Sequence, residues 1–194
     1  MSRPNRILYD NAVYHIIQRG HNKDRLFKKA EDYKIFKDYV RKYKERLRFD
    51  IYHYCIMSNH FHILLKVCRG EELPKIIHGI TQSYSYYYRK GYNRTGYVYQ
   101  NRYKSFIIED DSYLLECGRY IERNPLRAGI AKDLSDYRWS SYNFYAKGIK
   151  DDIITTNPLY LTMGHAAEER QRCYRDYILE PRPYEKVLDK AIIG

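Results

Sequence analysis

His60-Phe61-His62 sets two imidazoles at alternate positions near the start of an apolar run. On a strand, both rings leave one face and Phe61 leaves the other. Two neutral imidazoles aimed at one point are the beginning of a divalent-metal site. They do not complete one, because a hard cation acting on a phosphate also needs oxygen ligands and open positions. Seven histidines in 194 residues give such a pair by chance in roughly one chain of four, so the alternative that both rings merely line a polar sheet face stays open. Phe61, Ile63, Leu65 and Val67 make the opposite face continuously apolar, which would pin the strand and fix both rings. His15, His21, His53, His78 and His165 have no histidine at strand or helix spacing, and His53 reads as a hairpin neighbour and not as a ligand.

A second chemistry lies in Arg119-Tyr120-Ile121-Glu122-Arg123-Asn124-Pro125. If this segment is helical, Tyr120 and Asn124 share a face, so that one can attack a phosphate while the other reaches a metal. A free phenol titrates near ~10 and is a poor nucleophile at neutral pH unless a cation polarises the phosphate. The tyrosine and the histidine pair therefore make chemical sense only together. Tyr-x-x-x-Asn is expected about once by chance in this composition, and Tyr97 with Asn101 repeats it in a glycine-flanked loop. Asn124 also has a plainer role as a residue before proline, ending one helix and opening another.

The elements that must position these groups follow from periodicity. Val13 to Gln18 reads as a strand, stopped by Arg19-Gly20-His21-Asn22. Tyr33, Phe36, Val40, Tyr43 and Leu47 recur at intervals of three or four and predict a helix from Glu31 to Arg48. Ile51 to Met57 and Phe61 to Val67 flank Ser58-Asn59 as a tight hairpin, the second run apolar enough to be central. A helix from Glu72 to about Tyr88 is broken by Gly91 to Gly96, Tyr103 to Ile108 supplies a fourth strand, and Asp110, Asp111 and Ser112 offer caps for a helix through Arg123. This order predicts an α+β fold, a ferredoxin-like split β-α-β antiparallel sheet with an added helix. The domain spans 1–146, and 147–194 is a C-terminal helical extension with a basic helix from Ala166 to Leu179 and a loose tail at Pro181-Arg182-Pro183.

The charge balance, 35 Lys and Arg against 24 Asp and Glu for a net +11, favours a polyanionic partner, nucleic acid first. No run approaches a membrane span, and Met1 to Asp10 lacks the apolar core of a signal peptide, so no membrane partner is expected. Cys55, Cys68, Cys117 and Cys173 are too scattered for a zinc knuckle or a disulfide framework. The 24 tyrosines offer stacking faces for unpaired bases. Between Leu73 and Ile108 there is no acidic residue, and Arg89, Lys90, Arg94, Arg102 and Lys104 are interleaved with tyrosines including Tyr97 and Tyr99. That segment is a candidate single-strand surface. About half of its side chains are expected to be ordinary packing residues.

Met57-Ser58-Asn59-His60-Phe61-His62, Gln100-Asn101-Arg102-Tyr103-Lys104-Ser105, Tyr120 through Gly129 and Trp139-Ser140-Ser141-Tyr142 together resemble the single-tyrosine HUH transposases, most of all the bacterial branch associated with repetitive extragenic palindromes (REP). The resemblance runs from about Arg6 to about Ala146. It implies a catalytic helix carrying Tyr120 as nucleophile, and His60 and His62 as ligands of Mg²⁺ or Mn²⁺. Asn124 stands where the insertion-sequence branch has a glutamine ligand, and it matches the asparagine of the palindrome-associated branch. The implied reaction is cleavage and rejoining of single-stranded DNA next to hairpins through a 5′-phosphotyrosine, in the bacterial cytoplasm at the nucleoid. A homodimer, and with it action of Tyr120 across two chains, stays open. So do three other readings: an inactive hairpin-DNA-binding module, a phosphodiesterase using water, and an RNA-binding domain on the same plan.

Overall fold

The computed structural model describes residues 8–180 and Arg182. Four strands and seven helices follow one another as β1 (Val13–Arg19), α1 (Ala30–Leu47), β2 (Asp50–Met57), β3 (His60–Lys66), α2 (Glu72–Gly91), β4 (Lys104–Ile108), α3 (Asp111–Glu122), α4 (Asn124–Arg127), α5 (Tyr142–Lys147), α6 (Pro158–Leu161) and α7 (Ala167–Leu179). The strands form one antiparallel sheet in the order β2-β3-β1-β4, the ferredoxin-like arrangement expected from the sequence.

Alternation divides the sheet into two working faces. Tyr14 and Ile16, Ile51, Tyr54 and Ile56, and Phe61, Ile63 and Leu65 bury themselves with Phe36 and Val40 of α1 and Ile76, Ile80 and Tyr84 of α2. The other face presents Ile17, Cys55, Met57, Leu64 and Ile108 to Leu114, Cys117, Tyr120 and Ile121 of α3. Helix α3 therefore lies across the face from which His60 and His62 emerge. It starts where the sequence says it should, with the Asp110 side chain accepting from Tyr113 N at 2.7 Å.

Residues beyond α3 close the sheet. Backbone bonds from Ile56 N to Trp139 O, Ser141 N to Tyr54 O and Thr155 N to Ile51 O run along the free side of β2, so the strand edge is covered and not left for another chain. Tyr174 and Ile178 of α7 are buried in the same core as α1 and α2. Of the tail expected at Pro181-Arg182-Pro183, both prolines lie outside the described residues. Among the described residues no helix is long and apolar enough to cross a membrane.

Candidate active site on the α3 face

The hairpin at Ser58-Asn59 puts Met57 opposite His60 and Cys55 opposite His62, and both imidazoles project beneath α3 with ring centres 5.0 Å apart. Each is held through Nδ1. His60 Nδ1 lies 2.6 Å from Asn59 Oδ1, and the Asn59 amide is oriented by its own bond from Nδ2 to Lys23 O. Since Oδ1 only accepts, His60 Nδ1 must be the donor, which leaves the Nε2 lone pair bare. His62 Nδ1 is 2.9 Å from Nε2 of His15 on β1. The two Nε2 atoms of His60 and His62 are buried without a hydrogen-bond partner. Burial drives the titration of His60 down to about 4 and that of His62 well below its ordinary value, the latter with further help from neighbouring His60, His15, Arg127 and Arg19. Both rings are thus neutral and keep their lone pairs, the condition for binding a cation.

Tyr120 descends from α3 onto His62 and His15. Its ring meets those of His62 and His15 edge-on, with centres 5.9 and 6.0 Å away. The residue is 2 % exposed, and burial raises its hydroxyl to about 12 against the opposing charge and hydrogen bond of Arg127. Asn124, one helical turn further, donates from Nδ2 to the carbonyls of Tyr120 and Ile121 at 3.0 and 3.1 Å. The capping role expected of a residue before proline is therefore filled by the amide nitrogen, and Oδ1 is the atom left for a ligand. Asn124, His60, Arg19 and Arg127 line one cavity. Among the described residues no cluster of three His, Cys, Asp or Glu exists, so any cation held here needs oxygen from amide groups such as Asn124 or from a bound molecule. The donor set suits a hard divalent ion with open positions.

A second cavity opens on the other side of His60, walled by Gln18, Arg19, Gln100, Asn101, Arg102 and Lys104. The structure thus brings Arg102 and Lys104 to the cavity at His60. Arg89 and Lys90 sit exposed at the end of α2, Tyr97 is 80 % exposed, and Arg94 pairs with Asp24 at 2.6 Å. Tyr99 turns its hydroxyl inward, where burial raises its titration. Tyr84 and Tyr88 belong to the core and donate to Leu26 O and Arg25 O, while Tyr87 and Tyr92 donate to the Asp32 carboxyl group. These four are packing residues, as half of the segment was expected to be.

Sequence reasoning missed two features. His15 joins the site through strand pairing, which no local spacing records. Glu122, two residues past Tyr120, is fully buried and accepts from His53 Nδ1 at 2.9 Å, Ser141 Oγ at 2.5 Å and Tyr174 Oη at 2.8 Å. His53 Nε2 in turn accepts from Asn157 Nδ2 at 3.1 Å. This network ties α3 to β2, α5 and α7. His53 is accordingly the hairpin neighbour expected, opposite Leu64 of β3, with a packing role of its own, and is not a member of the His60 cluster.

In fold the chain is similar to a REP-associated tyrosine transposase solved bound to a REP hairpin, at 18 % identity and a TM-score of 0.66, over 81 % of this chain and 93 % of that one. A provisionally assigned transposase from Deinococcus radiodurans R1, at 15 % identity over 63 % of this chain and 97 % of that one, has a TM-score of 0.43 and is too distant to carry an argument. No curated protein matches the sequence. The model of the IS200-like transposases matches residues 8–124, which contain the whole sheet, both histidines, Tyr120 and Asn124, and the chain belongs to that family.

Proposed function

We propose that the protein cleaves and rejoins single-stranded DNA beside hairpins, with Tyr120 as nucleophile and His60, His62 and Asn124 as ligands of Mg²⁺ or Mn²⁺. The observation that carries this reading is the pair of bare, buried Nε2 atoms on His60 and His62, each ring held through its other nitrogen, with the His62 ring against that of Tyr120. A buried acceptor without a donor costs about 1 to 3 kcal/mol, and two in one place are explained if a cation relieves both. A hairpin-binding module without chemistry has no use for them.

In the reaction, Tyr120 Oη attacks the scissile phosphorus as the bond to the 3′ oxygen breaks. The phosphate remains on the 5′ strand as a phosphotyrosine, and the phenol's proton is balanced by the one gained at the released 3′-hydroxyl. The reverse attack by a 3′-hydroxyl rejoins the strands, so no external energy is needed. When bound, the divalent ion supplies positive charge at the phosphate and the departing oxygen. Arg127 stabilises the phenolate character that develops on Tyr120. Arg102 and Lys104 run the strand past His60, and Arg89, Lys90 and Tyr97, exposed beyond them, extend that path, whereas Arg94 is held by Asp24 and Tyr99 is turned inward; the relative bound to a REP hairpin supports a hairpin beside it. Tyr120 meets His15 and His62 of its own chain, which favours action within one chain over exchange across a homodimer. The place of action is then the bacterial cytoplasm, at the nucleoid.

The test is incubation with labelled hairpin-bearing single-stranded DNA and Mn²⁺ or Mg²⁺, followed by a denaturing gel. A covalent adduct that vanishes in both Tyr120→Phe and His62→Ala supports the reading. Cleavage that survives Tyr120→Phe removes the tyrosine from its role and leaves the water-using phosphodiesterase.

A further inference from the structure

We infer that His15 is a positioning residue for the proposed metal ligand His62, orienting its ring and fixing which nitrogen is free; the inference rests on the metal-site reading above.

His15 sits on β1, the strand bonded to β3 on one side and β4 on the other, so its backbone is fixed from both sides. Ile17 is the residue opposite His62, and alternation therefore brings His15 to the same face, one pleat along. The two rings are 2.9 Å apart at His15 Nε2 and His62 Nδ1, with centres 5.2 Å apart and planes within 26°. That is edge-to-edge contact in nearly one plane, the geometry of an N–H···N hydrogen bond and not of a face-to-face stack. Both residues are almost wholly buried, and Phe106 and Tyr120 close around His15 with ring centres 6.2 and 6.0 Å away.

The proton between the two rings can belong to either, and the choice decides what His62 is able to do. If His15 donates, His62 must carry its proton on Nε2, a buried donor with no acceptor and no capacity to bind a cation. If His62 Nδ1 donates, its Nε2 lone pair is bare, matching the state that Asn59 imposes on His60. Only the second arrangement gives both histidines the same free nitrogen. Outer partners of this kind set the orientation and tautomer of metal-bound imidazoles, and their removal typically weakens metal binding by roughly 10- to 100-fold. His15 Nε2 is directed at His62 Nδ1, so it acts through His62 and is not itself a ligand.

The experiment measures Mn²⁺ binding to the full chain by electron paramagnetic resonance, using wild type, His15→Phe and His15→Gln, with folding checked by circular dichroism. The phenylalanine keeps the ring and removes the acceptor, whereas the glutamine amide returns an oxygen near the former Nε2. Expected is a loss of about 10- to 100-fold in affinity for His15→Phe and recovery to within a few-fold of wild type for His15→Gln. Long-range ¹H–¹⁵N spectra of the metal-free wild type need no variant, and they should show His62 protonated at Nδ1. Binding in a folded His15→Phe protein equal to wild type, or His62 protonated at Nε2, overturns the inference while leaving the metal site standing. Failure of wild type itself to bind Mn²⁺ removes the metal-site reading, and this inference with it.

Discussion

The guanidinium of Arg127 lies over the ring of Tyr120, its central carbon 4.3 Å from the ring centre, and the same side chain donates from Nη1 to the Tyr120 carbonyl at 3.3 Å. One cation thereby touches both the ring and the backbone of the proposed nucleophile. It also reaches the cavity shared by His60 and Asn124. Asn124-Pro125-Leu126-Arg127 is the short helix α4, so the turn after α3 folds back to place a charge on it.

Arg127→Gln should slow adduct formation under single-turnover conditions with saturating DNA by roughly 10- to 100-fold, the scale of one well-placed charged donor. Arg127→Lys should recover only part of the rate, because lysine restores the charge but not the flat face lying on the ring. A rate in Arg127→Gln equal to wild type would mean that Arg127 is only packing.

Glu122 marks a second dependence, on the segment beyond the family match. Its carboxyl group takes three donors from β2, α5 and α7, and Gly118, on the same side of α3, faces the His53 ring so closely that an added Cβ would come within 2.8 Å of Cδ2 and Nε2. Glu122→Ala removes the acceptor of two buried donors, His53 Nδ1 and Tyr174 Oη, while Ser141 Oγ keeps Tyr54 O at 3.3 Å, and should cost on the order of 2 to 5 kcal/mol in urea unfolding. Gly118→Ala should cost about 1 to 3 kcal/mol by forcing α3 off β2. Loss of less than about 0.5 kcal/mol in either variant would show that α3 is not held by this network.

Local patterns in the sequence determine much of the site. His60 and His62 share a face because period-two alternation is local, and Asp110 caps α3 because its carboxyl group needs only the next few residues. His15 was not readable, since its partner lies 47 positions away and is chosen by strand register. Helices α4, α5 and α6 are four to six residues long, too short for a 3.6-residue period to show. The tyrosines fall between these cases. Ile76, Ile80, Tyr84 and Tyr88 continue one helical stripe at intervals of four, which would have assigned two of them to the core.

In the metal-free protein, burial holds His15 at about 3 and His60 at about 4, and His62 is lowered as well. The unfolded chain takes up protons at these histidines near 6.5. Between that value and the folded ones, the unfolded state therefore binds more protons, and folding stability must fall as pH falls. Above about 6.5 this contribution is fully present. Three such sites give a slope of up to roughly 4 kcal/mol per pH unit. Chemical unfolding of metal-free protein from pH 7.5 to 5 should show the decline beginning near 6.5, and His15→Phe should make it shallower by about one proton. A flat profile over this range would mean the histidines are solvated in the folded state.

Cations near the site differ in where they lie relative to His60, and DNA binding should sort them. Arg94 is engaged with Asp24, whereas Arg102 and Lys104 wall the cavity beside His60. Each phosphate contact releases condensed counterions on binding, so its loss weakens affinity and also flattens the dependence on salt, by about 0.7 per contact in log–log slope for a single strand. Arg102→Ala with Lys104→Ala should reduce that slope by roughly 1.4 and weaken binding of a hairpin with a single-stranded flank. Arg94→Ala should leave the slope nearly unchanged, because the cation it removes is already neutralised by a carboxylate. If Arg94→Ala flattens the slope as much as the double variant does, Arg94 gives up Asp24 for a phosphate, and the assignment of Arg102 and Lys104 as the main phosphate contacts is wrong.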